Sequence, residues 1–298
     1  MRFSIWPINQ QPIEDVLAVC VHAEQHGWDG VWMSDHLMPS REPLATPVVE
    51  CFTTVAAIAA LTSRIGVGTL VASNTFRHPA VVAKMAATVS QLSGDRFTLG
   101  IGAGWQVNEH TAHGIELPTP ARRLAALDEA CTIIRSLLSG DSVSYSGEYY
   151  DVVDALHCPS APVPLLVGAK GQRALEVVAR HADVWNTWGR PELIAERSAT
   201  LDHHCRTIGR DAASIRRTAQ ALVVLTGGNE VTDLERWQQS GLPVLAGSPS
   251  QICDEMLEYQ AAGVDEFVLP DFNLGVGEQR IDALDRIFEE IVTPLRAM

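Results

Sequence analysis

In the run SDH, residues 34–36, a carboxylate and an imidazole stand side by side at the end of an apolar segment. Histidine is the side chain best placed to give or take a proton near neutral pH, so His36 is a candidate acid or base. The bland alternative makes Asp35 a turn residue and His36 a hydrogen-bonded loop residue. A second run, LGIGAGWQVNEH (99–110), passes from an apolar strand through Gly100, Gly102 and Gly104 to Trp105, Asn108 and Glu109. Trp105 offers a flat face and Asn108 both donates and accepts, which suits a planar, hydrogen-bonding ring. The glycine spacing does not fit the G-x-G-x-x-G dinucleotide turn, and glycines in a strand end more often mark close approach of a neighbour or a ligand. In a third run, GAKGQR (168–173), Gly168, Ala169, Lys170 and Gly171 precede a helix. Free N–H groups at a helix start, with a lysine beside them, suit an anion; an ordinary strand-to-helix turn is the competing reading. Glu109, His110 and His113 lack an H-E-x-x-H pattern and the first strand carries no His-x-His, so no metal is expected here. No G-x-S-x-G elbow is present either.

These residues need a scaffold that brings them to one place. Eight short apolar runs are strand candidates: 2–6, 29–34, 65–71, 96–102, 164–169, 183–188, 217–226 and 266–271. Near-continuous apolar strands are what a parallel sheet covered on both faces requires. Helical periodicity fills the intervals at 13–26, 50–62, 79–92, 120–139, 171–181, 191–208, 248–263 and 278–296. Gly27 is a helix stop, Thr119-Pro120 a cap with a first-turn proline, and Ser248 with Gln251 a capping box. Eight strands alternating with helices predict a (β/α)8 TIM barrel in one domain, 1–298; an open doubly wound sheet is the alternative. A hairpin inserted after the fourth helix (142–152) and an excursion at 227–247 interrupt the alternation. In a barrel, function gathers at the carboxyl ends of the strands. That rule selects Trp6, Asp35, His36, Ala72, Ser73, Asn74, the 99–110 run, Gly168 to Gly171, Trp188 and Asp271.

The chain has 298 residues, 46% hydrophobic and 19% charged, with a net charge of −14. That balance supports a large core and opposes nucleic-acid binding. No apolar run approaches the ~20 residues of a spanning helix, and the start lacks signal-peptide character. Six scattered cysteines read as buried thiols in a reducing compartment, so a cytoplasmic protein without membrane contact is expected.

Five runs carry a resemblance: GWDGVWMSDH (27–36), GVGTLVASNTFRHPAVVAKMAATV (66–89), SGDRFTLGIGAGWQVNEHTAHGI (93–115), PLLVGAKGQRALEVVARHADVWNTWG (164–189) and AGVDEFVLPDF (262–272). Together they resemble the luciferase-like (β/α)8 oxidoreductases, in particular their coenzyme F420-dependent branch of actinobacteria. The resemblance implies a deazaflavin in the barrel mouth against the ends of strands 2 to 4. It implies a non-prolyl cis peptide at Leu70–Val71 behind the ring, His36 beside the redox carbon, Asn108 as a polar contact and Gly168–Gly171 around the phosphate. Relatives commonly run several glycines in that loop, where this chain has Ala169 and Lys170. Glu109 either orients a neighbour or is a structural carboxylate at a helix start. Arg41, Arg77, His78, Lys170 and Arg173 are candidates for an acidic cofactor tail.

The expected activity is hydride transfer between F420 and a small organic substrate, with His36 managing the proton. The alternatives are an FMN-dependent monooxygenase of the same fold, which would require a reductase partner, and a non-catalytic flavin- or deazaflavin-binding barrel. A homodimer is expected by analogy with relatives.

Overall fold

The computed structural model describes residues 1–140, 142–156, 159–226 and 234–298. Eight parallel strands form its centre: Arg2–Trp6, Gly30–Met33, Gly66–Thr69, Phe97–Gly102, Leu165–Gly168, Val184–Trp188, Arg216–Gln220 and Glu266–Pro270. Each pairs with its successor, and the eighth pairs with the first from Arg2 opposite Glu266 to Trp6 opposite Pro270. A sheet closed in this way is a TIM barrel and not an open doubly wound sheet.

Helices cover the outside, and local chemistry fixes their ends. Gly27, at φ 87°, ends Ile13–His26 in the left-handed conformation that favours glycine. Thr119 caps Pro120–Leu138, and Ser248 with Gln251 closes a capping box on Pro249–Ala261. No helix among the described residues is long and apolar enough to cross a membrane. Cys20, Cys51, Cys131, Cys205 and Cys253 are buried free thiols; Cys158 lies outside the described residues.

The barrel interior departs from the two-sided apolar strands that the sequence suggests. Trp32, Leu70, Leu166, Val184 and Val268 form an apolar cluster, with Trp6 and Val71 packed on it. Polar side chains of the same strands are buried in self-satisfied networks. Glu266 accepts from Ser4 Oγ at 2.6 Å and Trp32 Nε1 at 2.9 Å. Asn186 donates to Thr218 and Gln220, both at 2.7 Å. Such groups survive burial because each finds a partner, and alternation places them opposite the helix-facing apolar set.

Four element boundaries differ from expectation. The run 65–71 is strand only to Thr69; a cis Leu70–Val71 peptide follows, and Ala72–Ser73 then rejoins the fourth strand. The run 217–226 divides at Ala221, and Leu222–Leu225 leaves the barrel to pair in parallel with Val244–Gly247. Within 227–247, residues 227–233 lie outside the described residues, while Leu234–Gln238 is helical, so the excursion carries secondary structure of its own. The last helix is interrupted by a π turn, Phe288–Val292. The inserted hairpin is present as Val143–Ser146 against Asp151–Ala155.

Candidate active site at the carboxyl end of the barrel

The short helix Val107–Ala112, which follows the fourth strand, organises the mouth. Glu109 on it is only 2% exposed. One of its oxygens accepts from His36 Nδ1 at 3.0 Å and the other from the Leu37 N–H at 2.8 Å. The carboxylate therefore fixes the ring and leaves Nε2 as the nitrogen that can exchange a proton. His36 itself is 23% exposed, with Trp105 edge-on at 5.6 Å between ring centroids. Glu109, a catalytic candidate in the sequence, is buried with one oxygen engaged by His36 and the other by the Leu37 N–H, the arrangement of a group that orients its neighbour.

Asp35 is likewise not turned towards a ligand. It accepts from the Ser73 N–H at 2.9 Å and from Arg77 at 2.6 and 3.1 Å. Arg77 also bonds Glu50 at 2.6 Å. Burial would lower the guanidinium pKa, but the hydrogen bonds to Asp35 and the charges of Asp35 and Glu50 raise it on balance. Arg77 is thus committed to this network and is removed from the cationic groove proposed for a cofactor tail.

The glycines of the 99–110 run make room for protein. A Cβ on Gly100 would lie 2.0 Å from the Thr69 carbonyl oxygen, and one on Gly102 would lie 2.6 Å from Val71. These two positions, with Gly168 facing the other side of Val71, admit the backbone around the cis peptide. Gly104 abuts the side chains of Ser73 and Thr75. Asn108 is spent in part: it donates to the Pro39 carbonyl at 2.9 Å and accepts from the Glu109 N–H at 2.9 Å. Trp105, at 61% exposure, remains an open flat face.

Leu70 and Ala72 are buried, and Leu70 packs into the barrel interior. Trp6 stacks obliquely with Trp188 at 5.8 Å and meets Phe272 edge-on at 5.1 Å. The Trp6 indole N–H and the Asn74 carbonyl oxygen are buried with no hydrogen-bond partner among the described residues. Asn74 uses its amide to reach the Tyr150 hydroxyl at 3.0 Å, so the inserted hairpin leans on the mouth. No periodicity in the sequence signals that contact.

At the fifth strand, Ala169 spends its N–H on Asn186 and its carbonyl on the Trp185 indole, so it offers nothing to an anion. Lys170 and Gly171 are exposed at the start of Gln172–His181, a helix without a side-chain cap. Burial of the ammonium and the nearby Arg197 charge lower the Lys170 pKa.

Two further groups, His110 and Asp271, stand at strand ends that the sequence also selects, but their partners are set by tertiary contacts. His110 Nδ1 faces the Gln106 carbonyl at 2.7 Å, so it carries the proton, and in the neutral ring Nε2 accepts from Thr75 at 2.7 Å. Thr75 in turn accepts from Ser73 at 2.7 Å, locking the strand after the cis peptide. Asp271, fully buried after the eighth strand, accepts from the Ile8 N–H at 2.7 Å and lies 3.4 Å from Arg280. Burial pushes its pKa up from 3.8 to about 6, against the lowering effects of Arg280 and the backbone N–H groups. The native state therefore holds an extra proton between these values, and stability falls as pH rises through that window. Urea denaturation of the wild type and Asp271→Asn should show the wild type losing stability relative to the variant between about pH 4 and 6, by on the order of 2 kcal/mol. A pH-independent difference would mean that Asp271 ionises normally.

The family model for luciferase-like monooxygenases matches residues 1–233. The F420-dependent glucose-6-phosphate dehydrogenase of Amycolatopsis mediterranei is 40% identical over 172 residues, which cover 56% of this chain and 50% of that protein. The chain thus spans about half the length of the glucose-6-phosphate dehydrogenases it matches. The F420-dependent hydroxymycolic acid dehydrogenase of Mycobacterium tuberculosis is 29% identical over 273 residues, covering 88% of this chain and 74% of that protein. An F420-dependent secondary alcohol dehydrogenase, solved in complex with an F420-acetone adduct, has a TM-score of 0.83 at 20% identity, with 97% of this chain and 98% of that one covered. At that identity the likeness speaks to the fold.

Proposed function

This chain belongs to the luciferase-like monooxygenase family, and from that premise we propose that it is a coenzyme F420-dependent oxidoreductase, its one barrel domain interconverting the hydroxyl and carbonyl forms of a small organic substrate. The observation that carries this reading is the His36–Glu109 pair at the barrel mouth, a partly exposed imidazole held by a buried carboxylate. The F420-dependent dehydrogenases among the relatives support the cofactor.

The residues present fit a deazaflavin. Its ring system carries both N–H and carbonyl groups, and the mouth holds an unpaired acceptor at Asn74 and an unpaired donor at Trp6. The uncapped helix start at Gly171, with Lys170 beside it, fits a phosphate. When bound, F420 supplies a carbon that accepts or donates a hydride.

The rest of the chemistry falls to the chain. In alcohol oxidation His36 Nε2 takes the hydroxyl proton as the substrate's carbon–hydrogen bond breaks; in carbonyl reduction it returns that proton. Glu109 holds Nδ1–H and stabilises the imidazolium that forms, in a site whose burial strengthens the pairing. Trp6, Trp105 and Trp188 supply apolar walls that limit water.

Titrating the apo-protein separately with F420 and FMN, following tryptophan fluorescence, tests the reading. Micromolar or tighter F420 binding with strong quenching, and weaker FMN binding, is the expected result. Preference for FMN would overturn it in favour of a flavin monooxygenase served by a reductase, and binding of neither would remove the cofactor assignment.

A further inference from the structure

At the opposite end of the barrel, where helices run back into strand starts, the last turns of Ile13–His26 meet Glu278–Ile287. The i, i+4 spacing stacks His22 on His26, with ring centroids 3.8 Å apart. Asp285 Oδ1 lies 2.5 Å from His22 Nε2 and 3.6 Å from His26 Nε2, and one potential ligand atom from each of the three residues lies within 4.8 Å of the others. His26 Nδ1 lies 3.1 Å from the His22 carbonyl oxygen, which can only accept. Nδ1 therefore carries the proton, and the lone pair of the neutral ring sits on Nε2, the atom turned towards Asp285.

We propose that His22, His26 and Asp285 form a binding site for a divalent cation of the zinc class, clipping the first helix of the barrel to the last. Two imidazole nitrogens and one carboxylate oxygen are a zinc donor set, with water completing the tetrahedron. Metal–ligand bonds of about 2.0–2.2 Å set tetrahedral donors about 3.3–3.5 Å apart. The His26–Asp285 pair already stands near that separation, and the His22–Asp285 pair reaches it by opening less than about 1 Å. A hydrogen bond between His22 and Asp285 accounts for two of the three groups. It leaves His26, whose Nε2 stands 3.6 Å from the same oxygen, without a hydrogen bond to it. The cluster lies far from the His36 mouth in the topology, so its role is to strengthen barrel closure, independently of the activity proposed above.

The test uses the full chain, stripped with EDTA, dialysed and titrated with zinc chloride by calorimetry and thermal denaturation. One zinc binds with micromolar Kd, and Tm rises by on the order of 5 °C at a hundredfold excess over Kd. The His26→Gln variant keeps the His22–Asp285 hydrogen bond. It melts like the metal-free wild type, binds zinc at least tenfold more weakly and loses the shift. Absence of zinc binding at millimolar concentration, or wild-type affinity in His26→Gln, would overturn the proposal; the latter would assign the ion to other residues.

Discussion

Replacing His36 with alanine lowers kcat by about 10²–10³-fold while F420 affinity stays within about tenfold. General acid–base groups contribute on this scale, and in the proposed mechanism the ring exchanges the substrate's proton while the cofactor's phosphate is held elsewhere. The measurement is F420 absorbance on the substrate that the wild type turns over fastest, alongside F420 titration of the variant. Glu109→Gln gives the companion result. An amide at that position still bonds the ring but no longer stabilises an imidazolium, so kcat falls by about tenfold or more and its pH profile moves. Added imidazole partly restores His36→Ala, because the pocket left behind faces the mouth. Unchanged turnover in His36→Ala would assign proton transfer elsewhere. A collapse of F420 binding would make His36 a cofactor-binding residue.

The second large effect is on stability. Arg77→Met strands the Asp35 carboxylate, whose side chain is 1% exposed, with the Ser73 N–H as its remaining donor. Breaking a buried ion pair by removing one partner costs about 3–5 kcal/mol, because the other charge stays desolvated. Urea denaturation reads this directly. The double variant Asp35→Asn/Arg77→Met recovers a large part of the loss by removing the orphaned charge as well. A loss below about 1 kcal/mol in Arg77→Met would mean that water or Glu50 rearrangement compensates the site.

The barrel was legible in the chain because its signals are local. Eight apolar runs separated by helical periods, caps at Gly27, Thr119 and Ser248, and the rule that chemistry gathers at strand ends were enough to select His36, Glu109 and the loop at Lys170. Side-chain direction was not legible, since it depends on pairing register and on contacts between residues distant in sequence. Asp35 and His36 are adjacent, yet one is sealed against Arg77 and the other opens to the mouth. The glycines of residues 99–110 looked like clearance for a ring. Only the placement of Thr69 and Val71 reveals that they clear the neighbouring strand. The run 217–226 reads as one strand, because its apolar character continues past the point where the backbone leaves the barrel. What the sequence by itself determined is the order of elements and which residues lie at the carboxyl ends of the strands, because periodicity and caps are properties of nearby residues. Which of those groups face a ligand, and which hold one another, was decided by tertiary contacts such as that of His36 with Glu109, 73 residues apart.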